Sequence, residues 1–402
     1  MSEEKRYRVA IIVQRYGEEV GGGAELHARW LAEHLTAFCD VEVFTSCALD
    51  YLSWRNHFPA GISELNGVTV HRFEVEQERM IGQQPGVRNA VDLLYNHSTP
   101  DESFNWMWRT GPSSTDLLKK IESAYDDFDI FIFFTFEYAS TFFGLPLVSD
   151  KAILIPTAHD QLNLRMPIFR WLFHLPRFIA YNTESERTLV NRIWHNERIS
   201  SEIVGIGINV PDPETVKPAR FLSKYGLTKE DRFICYLGRM VAEKGVDQLI
   251  NYYIARKEKA ESGMKLVLMG PGSLEIPERD DIISTGFVSE EDKFDGLSAA
   301  DALVVPSKYE SLSMIAQEAW LVETPVIANG KSDVLVQQCR KSRGGLYYTS
   351  QDEFGQILSH LQANPEIAAQ MGLNGKTFVR KTYAWDVIME KYQKIFETVT
   401  RG

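Results

Sequence analysis

The chain has 402 residues, 44% of them hydrophobic and 24% charged, with a net charge of −12. That composition excludes a disordered or fibrous chain, and the length exceeds what one simple core organises, so two domains are expected. The acidic balance, without any concentrated basic run, excludes nucleic acid as the expected partner.

The N-terminal stretch Met-Ser-Glu-Glu-Lys-Arg-Tyr-Arg lacks the apolar centre of a signal peptide. Apolar runs at 8–13, 41–45, 68–72, 130–134, 152–155 and 178–181 predict strands. A helix is predicted over 24–37, where Ala24, Ala28, Leu31 and Leu35 keep helical spacing. Continuous apolar strands between helices mean a parallel sheet covered on both faces. The stretch 74–105 reads as an irregular insertion, followed by Trp106 and Trp108. The mixed run 169–178, Phe-Arg-Trp-Leu-Phe-His-Leu-Pro-Arg-Phe, offers two readings. It could touch a membrane surface or a lipid-linked substrate. A helix covering the first sheet is the preferred reading, because an acidic chain gains little at anionic lipid.

Three prolines (Pro211, Pro213, Pro218) break the pattern at 209–218, the best linker. Strands then recur at 233–237, 266–269, 282–284, 303–305 and 326–328, with helices between. The fold class expected is α/β, with two Rossmann-like doubly wound halves. A final helix carries Trp385, Ile388, Tyr392, Ile395 and Val399 on one stripe, whose receiving domain periodicity does not reveal. Four scattered cysteines without a CxxC pair fit reduced, buried thiols. No run is long and apolar enough to span a bilayer, so a cytoplasmic location is expected, with peripheral contact at the inner membrane face left open.

Ligands in open parallel sheets bind beyond the carboxyl ends of the strands, and four segments fall there. Gly21-Gly22-Gly23-Ala24-Glu25 lets backbone approach a ligand at a helix start. A turn needing positive φ explains the same glycines. A GxGxxG fingerprint is absent. His159-Asp160 follows the strand at 152–155, without the GxSxG elbow a triad would need, so a structural histidine and a substrate contact both stay open. Arg239 and Lys244, between Gly238 and Gly245, supply a fork and a point charge suited to two phosphates. A solvated surface, with Glu243 as partner, competes with that reading. Glu310 and Glu318 straddle a loop-to-helix junction, where Ser313, Met314 and Ile315 would present helix amides. A sheltered Glu318 wants donors such as ribose hydroxyls, whereas acids near helix starts are also unremarkable. Asp127-Phe128-Asp129 lies at an amino edge and reads as a turn entering a strand. No bound catalytic metal is expected.

Gly-Gly-Gly-Ala-Glu, His-Asp, Gly-Arg-x4-Lys-Gly and Glu-x7-Glu, in this order, resemble the retaining GT-B glycosyltransferases of family GT4. Asn182-Thr183-Glu184-Ser185, 205–209 and Tyr383-Ala384-Trp385-Asp386 extend the resemblance over nearly the whole chain. It implies domains facing across a cleft: 1–207, completed by a returning helix at 383–402, for the acceptor, and 208–382 for the nucleotide-sugar donor. Arg239 and Lys244 would bind the donor diphosphate, Glu318 the ribose and Glu310 the sugar hydroxyls. Gly22 and Gly23 would approach the phosphates, His159 the reacting carbon, and backbone at Gly286-Phe287-Val288 the base. The donor, a UDP- or GDP-sugar, would be a substrate, with no cofactor; a glycan, lipid-linked or small-molecule acceptor would receive the sugar. An epimerase of the same fold and a non-catalytic nucleotide-sugar-binding subunit are the alternatives. The usual Gly at the end of the Glu-Gly/Ser-Phe-Gly pattern is Ser313 here.

Overall fold

Five consecutive buried side chains, Ile-Phe-Ile-Phe-Phe, fit only a strand covered on both faces, and they form the centre of the first sheet. The computed structural model describes residues 6–79, 92, 98–259 and 263–401. The chain divides into two compact units, 1–207 with 388–402, and 208–387. The first holds β1 (Tyr7–Ile12), β2 (Cys39–Ser46), β3 (Gly61–Leu65), β4 (Val68–Phe73), β5 (Ile130–Phe134), β6 (Ala152–Ile155), β7 (Phe178–Tyr181) and β8 (Ser200–Ile203). They order as β3-β4-β2-β1-β5-β6-β7-β8, parallel except for β3. The second holds β9 (Phe233–Leu237), β10 (Lys265–Met269), β11 (Ile282–Gly286), β12 (Ala302–Val305), β13 (Val326–Asn329) and β14 (Gly345–Tyr348), ordered β11-β10-β9-β12-β13-β14.

Both sheets therefore reverse direction of winding beside their first strand, between β1 and β5 and between β9 and β12. Loops leaving the carboxyl ends at such a point diverge and open a crevice, so each unit has one favoured ligand edge. Two apolar layers clamp each sheet. Phe131, Phe133 and Leu154 anchor the first core, and Ile234, Leu268 and Val304 the second. A fully buried side chain of this size contributes about 1.5–3 kcal/mol.

Three strands escape the apolar pattern. β3 is an exposed edge strand joined to β4 by Asn66-Gly67, both at positive φ, so turn chemistry rather than hydrophobicity creates it. β8 alternates exposed and half-buried residues, and β14 is a short run beginning at a glycine. The stretch 74–105 is not irregular to its end. Thr99 and Glu102 form a capping box, Pro100 takes the first helical position, and a helix runs over Pro100–Thr110. Residues 80–91 and 93–97 of that stretch, including His97, lie outside the described residues. The aromatic run at 169–178 forms short 3-10 turns instead of one helix, with Phe169, Leu172 and Phe173 buried in the first core.

The final helix, Trp385–Thr400, begins in the second unit and ends in the first. Trp385 donates to Asn209 Oδ1 at 2.7 Å and Tyr383 O accepts from the Ile208 amide at 3.0 Å, which keeps 383–387 with the second unit. Beyond Ile388, Phe396 meets Tyr7 edge-on and Lys391 donates to the carbonyls of Ile203 and Val204. The division thus falls at 387/388, not 382/383.

Candidate functional site

In the second unit, β9 ends at Leu237 and its loop curls back over β12. Gly245 sits at φ 74°, and a Cβ there would come 2.7 Å from the carbonyl of Pro306, so only glycine lets the two loops meet. Asn329 holds that same carbonyl at 2.7 Å. The closure carries Lys244 to Glu310, Nζ to Oε1 at 2.9 Å, across 66 positions of sequence. The lysine side chain is 34% exposed and the glutamate 13%, so the pair faces solvent from a partly sheltered place. Glu243, the partner that local sequence suggests, is not the residue Lys244 meets. Arg239 is exposed on the same loop, whose backbone is fixed by Tyr236 OH donating to the Arg239 carbonyl at 2.8 Å.

The helix Met314–Leu321 follows directly. Ser313 is its N-cap residue, at φ 74° and ψ 80°, a left-handed conformation that serine adopts reluctantly. Among the described residues, its hydroxyl makes no capping bond and is buried without a partner. Met314 and Ile315 are half-buried, with their amides in the first turn, where donors have no intrahelical acceptor. Trp320 locks the helix from below, its indole donating to Gly344 O at 2.8 Å.

Glu318 does not join the Lys244–Glu310 pair. It is buried, and its Oε1 accepts from Lys293 Nζ at 2.7 Å. Burial pushes its carboxyl above the usual range, and Lys293 works against that rise. Gly286, at φ 67°, closes β11 and accepts from the Gly270 amide; Val288 is half-buried, and Phe287 stands 79% exposed at this edge.

In the first unit, Gly22 adopts φ 144°, and a Cβ there would collide with the Glu25 carboxylate. The positive-φ explanation of the glycine run is therefore met, with Gly23 opening the helix Gly23–Leu35. Beneath the loop lies a buried ion pair, Arg15 with Glu25, with Arg15 also donating to Gly21 O and Leu49 O. His159 is half-buried beyond β6. Its loop is held by Glu186, which accepts from the amides of Ala158 at 2.5 Å and Asn182 at 2.6 Å. Burial raises the Glu186 carboxyl to about 8, against the lowering effect of those amides. Asp129 pins the amino end of β1 by accepting from the Arg8 amide, which places Asp127-Phe128-Asp129 at the edge opposite the candidate residues. Among the described residues, no cluster of three or more His, Cys, Asp or Glu side chains could hold a metal ion, and no helix is long and apolar enough to cross a membrane.

Sequence reasoning missed Arg15, Glu186 and Lys293. Each lies in an ordinary charged stretch, and only tertiary pairing distinguishes it. Lys293 follows Glu290 by three positions, the spacing of a solvated helix pair.

Residues 219–378 match the family described as glycosyl transferases group 1. Alpha-maltose-1-phosphate synthase of Mycolicibacterium smegmatis is 24% identical over 98% of this chain and 100% of its own. Other curated relatives match over less of their length: the chain spans 47%, 38% and 32% of three of them. Among solved structures, sucrose-phosphate synthase from Thermosynechococcus elongatus superposes with a TM-score of 0.72 at 18% identity, covering 98% of this chain and 99% of that one. Anabaena HepE in complex with UDP-glucose does so with 0.68 at 14%, covering 98% and 100%.

Proposed function

We propose that this protein is a retaining glycosyltransferase, because residues 219–378 match the glycosyl transferases group 1 family and the chain has the GT-B fold. It moves a hexose-type sugar from a nucleoside-diphosphate sugar to a glycan, lipid-linked or small-molecule acceptor. The observation that carries this reading is the Lys244–Glu310 contact at the switch point of the second sheet. A cation and a hydroxyl-reading carboxylate within 2.9 Å of each other suit a ligand whose phosphate and sugar are adjacent. HepE, crystallised with UDP-glucose, shares the fold and supports a nucleotide-sugar donor.

In the proposed reaction the bond from the anomeric carbon to the phosphate oxygen breaks. The acceptor hydroxyl oxygen bonds to the same face of that carbon, and its proton passes to the leaving phosphate. Lys244 and Arg239 stabilise the charge growing on the diphosphate, so no metal is required for that task. Glu310 accepts from sugar hydroxyls, and Glu318 accepts from the ribose. Amides at Ser313, Met314 and Ile315 donate toward the phosphates, and backbone at Gly286 and Val288 receives the base. The first unit is assigned the acceptor; from it the Gly22 and Gly23 backbone would approach the donor phosphates and His159 the reacting carbon. A cytoplasmic location fits these substrates.

The test begins with thermal shifts against UDP, GDP, ADP and their sugars. A nucleotide at a hundred times its Kd should add about 2.7 kcal/mol of stability. Transfer from the responding donor should then fall about 100- to 1000-fold in Lys244→Ala and in Glu310→Ala, with the fold intact. Full activity in both variants overturns the reading, as does the absence of any shift. An isomerised sugar formed without acceptor reassigns the chain as an epimerase.

A further inference from the structure

Glu318 is held in an unusual way for a residue assigned to bind ribose. It is 4% exposed and Lys293, on the neighbouring helix Glu290–Ala299, is 8% exposed. Lys293 Nζ reaches Glu318 Oε1 at 2.7 Å and both carboxylate oxygens of Glu290 at 2.8 Å, and it lies 4.6 Å from the centre of the Phe294 ring. Among the described residues, no donor other than Lys293 reaches the Glu318 carboxylate. The remaining charges of these elements are engaged elsewhere. Asp292 pairs with Lys224, Asp295 and Glu291 with Arg220, and Glu323 with Lys376 from the helix Pro365–Tyr383. Lys293 and Glu290 are the charged groups acting on Glu318.

We propose that Lys293 is a positioning residue that fixes one oxygen of Glu318 and keeps the carboxylate a negative acceptor, leaving the other oxygen to take a ribose hydroxyl. The physical need is plain. A buried carboxylate without a partner takes a proton and turns from acceptor into donor. Burial pushes the Glu318 carboxyl upward and Lys293 opposes it, while Glu318 and Glu290 hold the Lys293 ammonium above its ordinary range against its own burial. Glu290, 78% exposed, continues the line of charge to the surface. This inference rests on the assignment of Glu318 to the ribose.

The experiment measures Kd for UDP and for 2′-deoxy-UDP between pH 5.5 and 8.5 by calorimetry, with GDP and 2′-deoxy-GDP as a second pair. The wild type should prefer the ribonucleotide about tenfold or more at every pH. Lys293→Met should lose that preference at low pH and recover it at high pH, as Glu318 ionises unaided; Lys293→Arg should restore the flat profile. Should Lys293→Met fail to fold, the double variant Lys293→Met/Glu318→Gln, which buries no charge, is compared with Glu318→Gln. The two must bind UDP equally, because Lys293 acts through Glu318. A Lys293→Met protein with the wild-type preference at every pH overturns the proposal, as does a double variant that binds much more weakly than Glu318→Gln. If Glu318→Gln itself keeps the preference, the ribose assignment fails instead.

Discussion

The carboxyl edges of the two sheets share a strand order and differ in how they neutralise buried acids. At the first edge, Glu186 is buried and meets backbone amides at both oxygens, and Glu25 meets Arg15 where neither side chain exceeds 6% exposure. At the second edge, Glu310 and Glu318 each meet a lysine on one oxygen. A carboxylate whose oxygens are both taken by the main chain is part of the architecture. A carboxylate held on one oxygen by an ammonium keeps a lone pair on the other for a ligand. On the proposed assignment, the difference separates groups that build a loop from groups that would read a substrate.

The strongest way to break this distinction is to remove one cation from each edge. Arg15→Met leaves Glu25 buried and uncompensated and should cost about 3–5 kcal/mol in denaturant unfolding. Lys244→Met disturbs a partly exposed pair and should change stability by less than about 1 kcal/mol, while abolishing the nucleotide-induced thermal shift. Equal stability losses in the two variants would erase the contrast.

A smaller effect comes from pH. Glu186 has its carboxyl raised to about 8 by burial in the folded chain, above the ordinary 4.5 it regains on unfolding. Between those values the folded state binds more protons, so stability is full below about pH 4.5 and falls as pH rises through 8. Glu186→Gln cannot titrate. Its midpoint should therefore start lower, because the amide nitrogen cannot accept from one of the two N–H groups, and should lack the component of slope that Glu186 contributes. The difference between the two melting curves from pH 5 to 8.5 isolates this residue. Parallel curves would show that the amides keep Glu186 ionised throughout.

Much of the architecture was legible because a parallel sheet writes itself as uninterrupted apolar runs, as at 130–134 and 233–237. What was hidden follows from chemistry that leaves no such run. β3 depends on an Asn-Gly turn, β8 on edge pairing, and the helix Pro100–Thr110 on a capping box inside a polar stretch. The candidate site divides in the same way. Gly245, Lys244 and Glu310 were visible because glycines and charges at strand ends are locally conspicuous. Their direct contact was not, since it spans three crossovers. Lys293 was invisible: within Ser-Glu-Glu-Asp-Lys it looks like one more solvated charge, and only the packing of its helix beside Glu318 gives it a partner.

The finest distinction lies at Ser313. Its left-handed backbone costs of the order of 1–2 kcal/mol relative to a relaxed serine. Its buried hydroxyl, without a partner among the described residues, adds a penalty of about 1–3 kcal/mol. Glycine would remove both, while giving back about 0.5–1 kcal/mol through the greater freedom of the unfolded chain. Ser313→Gly should therefore raise stability by about 1–4 kcal/mol, with Tm rising about 2–4 °C per kcal/mol for a unit of this size. The second edge would then be shown to carry local strain where its helix amides begin, next to the carboxylates assigned to the sugar and ribose. Strain of this kind persists where surrounding structure imposes it, and it clusters at ligand clamps. A variant destabilised by more than about 1 kcal/mol would mean that the hydroxyl has a partner in solution, such as an ordered water. Ser313 would then belong with Glu186 among the groups that build a loop.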